Sequence, residues 1–124
     1  MKDARPTAVN LSWALEFMKK KLIDEHPSNR ADVSKKLVKK ISNDDIECCK
    51  KIGENGLKII LDIKKRKKTN KPINILTHCN AGWLATVDWG TALAPVFTAH
   101  KNNIPVHVWV DETRPRNQGF SLTS

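Results

Sequence analysis

Apolar residues in the N-terminal half of the chain recur at alternating spacings of three and four, the pattern of a helix with one buried face. In the first stretch they are Ala8, Leu11, Leu15, Met18 and Leu22. The pattern predicts helices over about residues 7–21, 30–41 and 44–66, and Asn43 is suited to cap the third. We therefore expect residues 1–70 to form a helical segment.

Two glycines lie inside the third predicted helix. Gly53 and Gly56 each cost a helix about 1 kcal/mol relative to alanine, so we expect the backbone there to pack closely against another element. Cys49 lies on the same apolar stripe. Because a buried free cysteine behaves as a small apolar residue, we interpret Cys49 as part of the core.

Two short apolar runs in the C-terminal part have the composition of strands. Residues 73–76 and 106–110 are separated by an apolar helical stretch, in which Pro95 either kinks the helix or lies in its first turn. Strand, helix and strand over this distance predict a βαβ unit with parallel strands. We therefore predict an α/β fold, in which N-terminal helices precede a βαβ segment over residues 71–124.

Each predicted strand ends in polar and reactive residues. The first runs into a tight loop before the helical stretch, and this loop contains His78, Cys79, Asn80, Ala81 and Gly82. The second runs into a charged cluster over residues 111–119. Because parallel strands end at the same edge of a sheet, we expect both loops to open there. Loop amides and a helix N-terminus at such an edge favour an anion, and they also favour a cysteine thiolate.

The residue types in these loops leave several chemical roles open. Cys79 is either a small buried residue, a nucleophile, or an acid or base in proton transfer, and no partner base is identifiable from spacing. Arg114 and Arg116 suit either a bidentate phosphate contact or an ion-paired loop. Asp111 or Glu112 suits hydroxyl binding or the orientation of an arginine. These loops therefore form the candidate site.

The formal net charge of +9 raises the question of a nucleic acid partner. Sixteen of the 22 basic residues lie within residues 19–68, in the helical segment and away from the candidate site. The cationic run over residues 64–68 contains no aromatic residue for base stacking, so we interpret it as a solvated helix end and disfavour nucleic acid binding. Arg5, just before the first predicted helix, is placed to reach an anion.

Other sequence signals bear on the cellular location of the protein and on metal binding. No apolar run approaches the ~20 residues that a spanning helix needs, and nothing resembles a secretory signal. The three cysteines do not suggest a disulfide framework, and no zinc-ligand spacing is present. We therefore expect a cytoplasmic protein with no membrane contact and no metal.

Four motifs resemble the S-methyl-5-thioribose-1-phosphate isomerase family, and they occur along the whole chain in the family's order. They are RPTAVNL at 5–11, IGENGL at 52–57, ILTHCNAGWLATVDWGTA at 75–92 and VWVDETRPRNQG at 108–119. This family is similar to the alpha, beta and delta subunits of translation initiation factor 2B. Its members join a helical N-terminal domain to a Rossmann-like C-terminal domain, act as dimers, and use no metal or other cofactor.

The resemblance implies an aldose–ketose isomerase of methionine salvage that acts on a sugar phosphate. It implies that Cys79 matches the catalytic cysteine and that Arg5 contacts the sugar phosphate. It also places Gln118 at a substrate-contacting position, and we add the rest of the candidate substrate-binding set from the two loops. That remainder is Asn80, Ala81, Gly82 and Arg114.

Two family features have no counterpart in the sequence, so we expect an incomplete fragment of the family fold. One is an earlier loop of small residues that helps to hold phosphate, and the other is a later motif with the second catalytic residue, an aspartate. Since acid–base catalysis contributes ~10²–10⁴-fold to rate, we expect little or no isomerase activity from this chain alone. We also expect a homo-oligomer. The alternative function is a non-enzymatic interaction module like the initiation-factor subunits.

Overall fold

The computed structural model describes residue 7 and residues 9–68 and 70–124. The helices and strands follow in the order α1 (Val9–Leu22), α2 (Arg30–Lys67), β1 (Ile73–Thr77), α3 (Ala94–Lys101) and β2 (Val106–Val110). The chain also forms a 3₁₀ turn at Trp83–Ala85 and a π-helical turn at Gly119–Thr123. None of the helices in the described ranges is both long and apolar enough to cross a membrane.

The chain divides into two compact units, Met1–Asp44 and Asp45–Ser124. In the first unit, α1 lies close to its predicted range, and Leu11, Leu15 and Met18 on its apolar stripe are half-buried. The second unit contains the sheet and both candidate loops. The division into a helical segment and a βαβ segment near residue 70 stays a prediction about domains.

Helix α2 is a single helix of 38 residues, so the predicted helix boundary at Asn43 was wrong. Asn43 is exposed in the middle of α2, and the partly or fully buried positions continue past it at a spacing of four. They are Leu37, Ile41, Asp45, Cys49 and Gly53. Because the two predicted stripes are in phase, one continuous helix buries both, which outweighs the local capping preference of asparagine.

The two strands pair in parallel, with Ile73 opposite Val106 and Thr77 opposite Val110. This confirms the predicted α/β fold with a parallel strand pair. Side chains alternate along each strand, so one face carries the buried residues and the other exposes Leu76 and Trp109. The inner face packs in a core formed by Ile60, Ile73, Ala99, Leu57, Ile63, Ile75, Ile104 and Val106.

Helices α2 and α3 approach closely at the two glycines of α2, as predicted. A Cβ on Gly53 would lie 2.4 Å from Oγ1 of Thr98, and one on Gly56 would lie 2.3 Å from Cγ of Pro95. Real Cβ atoms do not approach other atoms this closely, so both positions require the absence of a side chain. Pro95 lies in the first turn of α3, so it does not kink the helix, which was the other alternative that the sequence left open.

Cys49 belongs to the core, as predicted, and is 2% exposed. Burial raises the pKa of its thiol, and the negative charges of Asp45 and Asp88, together with the neighbouring Cys48 thiol, act in the same direction. All three cysteines of the chain are free. The folded protein therefore keeps Cys49 as a neutral thiol at pH values where an exposed thiol begins to ionise.

Replacing Gly53 with alanine is expected to destabilise the protein by about 1–3 kcal/mol, although alanine is the better helix former. The new methyl group would overlap Thr98 and the carbonyl oxygen of Ala94. Urea unfolding followed by circular dichroism measures this change. Glu54→Ala is the matched control, because Glu54 is an exposed neighbour on the same helix and its loss should change stability by less than about 0.5 kcal/mol. A Gly53→Ala protein as stable as wild type would contradict the close packing.

The raised pKa of Cys49 predicts a pH dependence of stability. The folded state holds a proton that the unfolded thiol releases above pH ~8.5, so this stabilisation is present below that pH and is lost as pH rises further. The difference in unfolding free energy between wild type and Cys49→Ala should therefore decrease from pH 8 to pH 10 under reducing conditions. The matched variant Ile60→Val changes another buried position of α2 that has no titratable group, and its difference from wild type should stay nearly constant. Equal pH profiles for all three proteins would exclude the effect.

Candidate functional site

The two candidate loops leave the same edge of the strand pair, as predicted. The backbone N–H of Asp111 donates to the carbonyl oxygen of Thr77 at 2.9 Å, which extends the ladder one residue past β2. The residues after Thr77 and after Asp111 therefore begin side by side. We call residues 78–82 the cysteine loop and residues 111–119 the arginine loop.

Two side-chain contacts join these loops. Nδ2 of Asn80 donates to Oε1 of Gln118 at 2.8 Å, across 38 residues of sequence. Nδ1 of His78 lies 3.8 Å from Oδ2 of Asp111, and both side chains are largely exposed. The second contact is an ion pair only when His78 is protonated, and exposed pairs of this kind contribute little. The Asn80–Gln118 hydrogen bond is therefore the specific link between the loops.

Cys79 is exposed and its backbone is unusual. The φ angle of +81° lies in the left-handed region, which costs roughly 1–3 kcal/mol for a residue other than glycine. The exposed thiol excludes the interpretation of Cys79 as a small buried residue. A nucleophilic role and a role in proton transfer both remain compatible with its position.

The carboxylate of Glu112 organises the arginine loop. It accepts hydrogen bonds from the backbone N–H of Thr113 at 2.7 Å, Gly119 at 2.9 Å and Phe120 at 3.3 Å. A Cβ on Gly119 would lie 2.6 Å from the carbonyl oxygen of Asp111, so the π-helical turn begins in direct contact with the end of β2. Glu112 thus binds backbone amides, a role that differs from the hydroxyl binding or arginine orientation considered from the sequence.

Thr123 reaches the cysteine loop from the far end of the π-helical turn. Its Oγ1 donates to the carbonyl oxygen of Ala81 at 2.8 Å and lies 3.3 Å from that of Cys79. Sequence reasoning missed this residue. More than forty positions separate it from its partners, and a side-chain hydroxyl that binds backbone leaves no periodic signal.

The segment after Gly82 leads into the predicted helix through a short turn. Helix α3 begins only at Ala94, and the element nearest to the cysteine loop is the 3₁₀ turn Trp83–Ala85. Trp83 packs on Phe97 of α3 with ring centroids 4.8 Å apart. A Cβ on Gly90 would lie 2.5 Å from the carbonyl carbon of Gly82, so these two glycine backbones are in contact. A Cβ on Gly82 would also lie 3.3 Å from Cδ1 of Leu93, the N-cap residue of α3, so the start of α3 packs against the end of the cysteine loop.

The remaining predicted site residues have different surroundings. Ala81 and Gly82 are buried and contribute backbone groups, whereas Arg114 and Arg116 are exposed in the arginine loop. Arg5 lies outside the described residues. In the described ranges, no group of three or more histidine, cysteine, aspartate or glutamate side chains is placed to hold a metal ion.

Comparison with known proteins gives relatives at high identity. A methylthioribose-1-phosphate isomerase from Escherichia coli O45:K1 is 57% identical over 115 residues, which are 93% of this chain and 31% of that protein. One from Rhodospirillum rubrum is 56% identical over 124 residues, 97% of this chain and 32% of that protein. The chain thus spans about a third of the length of these curated relatives.

A solved structure has the same fold over the matched region. The crystal structure of 5-methylthioribose 1-phosphate isomerase from Pyrococcus horikoshii OT3 matches with a TM-score of 0.72 at 38% identity. The match covers 96% of this chain and 32% of that one. The model of the initiation factor 2 subunit family matches residues 1–124. The chain therefore belongs to the initiation factor 2 subunit family, and its fold is a fragment of the larger isomerase fold.

Proposed function

We propose that this chain forms the cysteine-bearing part of a site for methylthioribose 1-phosphate, in an aldose–ketose isomerisation of methionine salvage. The names of its relatives support this substrate. The observation that supports it best is the 2.8 Å hydrogen bond from Asn80 to Gln118, because it brings a predicted substrate-contacting residue to the loop of Cys79. An exposed thiol and a fixed amide at one sheet edge suit a small polar ligand.

In this proposal Cys79 moves a proton as a general acid or base. A group with this role must reach the reacting atom directly, and Cys79 is exposed at the edge where the loops meet. The exposed guanidinium of Arg114 is free to turn toward a phosphate, with which it can form two parallel hydrogen bonds. Asn80 and Gln118 would bind hydroxyl groups, and Ala81 and Gly82 would line the site with backbone.

Turnover needs a second group for proton transfer. The resemblance assigns that role to an aspartate in a further motif of the family, and no segment of the 124-residue sequence matches that motif. We therefore propose that this chain alone binds the sugar phosphate with little or no turnover. Arg5 completes the proposed phosphate contacts.

Self-association and a cytoplasmic location are further parts of the proposal. The open face of the strand pair exposes Leu76 by 68% and Trp109 by 58%, and contiguous apolar surface of this kind favours association. Parallel strands are almost always covered on both faces, which also supports a partner for this one.

A second candidate function is a non-enzymatic interaction module. The matching family model is described by its initiation factor subunits, which supports this alternative. Such a module needs the fold and its surfaces, whereas it has no need of an exposed cysteine beside bound amides. The two functions therefore differ in whether the loop edge binds a sugar phosphate.

Proton and phosphorus NMR of the purified chain with methylthioribose 1-phosphate tests the proposal. We expect broadening of the ligand signals without ketose product. Arg114→Ala should weaken the affinity at least about tenfold, because it removes a charge-assisted contact to phosphate. Arg116→Ala is the matched control from the same exposed loop, and we expect it to change affinity by less than about threefold.

The other outcomes of this experiment are equally informative. Ketose product that disappears in Cys79→Ala would show that the chain turns over without the aspartate, contrary to our expectation of inactivity. Absence of any broadening at millimolar ligand would reject the sugar-phosphate site and favour the interaction module.

A further inference from the structure

Two side chains from the C-terminal end of the chain bind the cysteine loop. One is the amide of Gln118, and the other is the hydroxyl of Thr123. Thr123 lies at the end of the π-helical turn, and its Oγ1 is 2.8 Å from the carbonyl oxygen of Ala81 and 3.3 Å from that of Cys79. A threonine hydroxyl carries one hydrogen, so the shorter contact is the principal bond and the longer one shares the donor. This single group therefore touches the backbone on both sides of Asn80.

The backbone of the cysteine loop needs such support. Cys79 has a φ angle of +81°, a conformation that a cysteine rarely adopts without help from its surroundings. Ala81 is 7% exposed, so its carbonyl oxygen has little access to water and depends on a protein donor. Thr123 supplies that donor.

Thr123 is itself held in place at the other end of its turn. Glu112 accepts from the N–H groups of Gly119 and Phe120, where the turn begins. The N–H of Ser124 donates to the carbonyl oxygen of Gly119 at 3.0 Å, where the turn ends. The turn is therefore hydrogen-bonded at both ends and connects the end of β2 to the carbonyls of the cysteine loop.

We propose that Thr123 is a positioning residue for Cys79. Its hydroxyl holds the carbonyls of Ala81 and Cys79, keeps Cys79 in its left-handed conformation, and thereby presents the thiol at the edge that Asn80 and Gln118 share. The inference rests on the proposed function only in naming Cys79 as the reacting group. The contact itself is independent of any ligand.

The test compares variants of Thr123 in the full chain without any sugar phosphate. Thr123→Val keeps the shape and removes the donor, whereas Thr123→Ser keeps the donor. In Thr123→Val we expect the Cα and Cβ chemical shifts of Cys79 to leave the values of a left-handed residue. We also expect the iodoacetamide alkylation rate of Cys79, mapped by mass spectrometry, to change about threefold to tenfold, the range that follows from loss of one hydrogen bond. Thr123→Ser should restore both.

Ser121→Ala is the matched control. Ser121 lies in the same turn, and its hydroxyl bonds to the carbonyl oxygen of Asn117 at 3.2 Å, away from the cysteine loop. It should leave the Cys79 shifts and alkylation rate unchanged. Thr123→Ala is measured in parallel, so that a folding defect of the valine variant, detected by circular dichroism, does not prevent the test.

Two results would overturn the proposal. One is a folded Thr123→Val or Thr123→Ala protein with wild-type Cys79 shifts and alkylation rate. The other is a Thr123→Ser protein that behaves like Thr123→Val. Because no sugar phosphate is used, these results are distinct from a failure of the chain to bind methylthioribose 1-phosphate, which would reject the proposed function alone.

Discussion

The parallel pairing of β1 and β2 is the interaction on which the candidate site depends. Thr77 lies opposite Val110, and the N–H of Asp111 bonds to Thr77, so both strands end at the same level. A shift of one residue would turn every side chain to the other face of the sheet. It would also separate the loops, because the bond between Asn80 and Gln118 requires both to begin together. Register thus determines the core and the site at once.

The strand pair depends in turn on the close contact between α2 and α3. Gly53 and Gly56 let the two helices approach, and Ile60 and Ala99 then reach the inner face of the sheet around Ile73. The glycines were informative in the sequence because their cost to an isolated helix is known and must be offset by packing. Cys49 was assigned to the core for a related reason, since its place on an apolar stripe favours burial.

Other features could not be predicted because local and distant preferences conflict. Asn43 is a good helix cap, yet the half-buried positions on either side of it are in phase, and one helix buries them all. The roles of Glu112 and Thr123 could not be predicted from the sequence either. Each binds backbone groups through its side chain, and such bonds follow from the path of the chain rather than from any spacing of residues. The positions of the strands and their shared edge were predictable. The hydrogen bonds that join the two loops and the π-helical turn were not.

The backbone conformation of Cys79 links the stability of the cysteine loop to the function proposed for it. Glycine would adopt a φ angle of +81° without strain, so the position disfavours the residue that occupies it. Strained backbone of this kind persists only where surrounding contacts determine it, and it concentrates at functional sites. Here the contacts come from Thr123, Asn80 and the end of β1. The exposure of the thiol argues against a packing role for Cys79 and supports the proton-transfer role proposed for it.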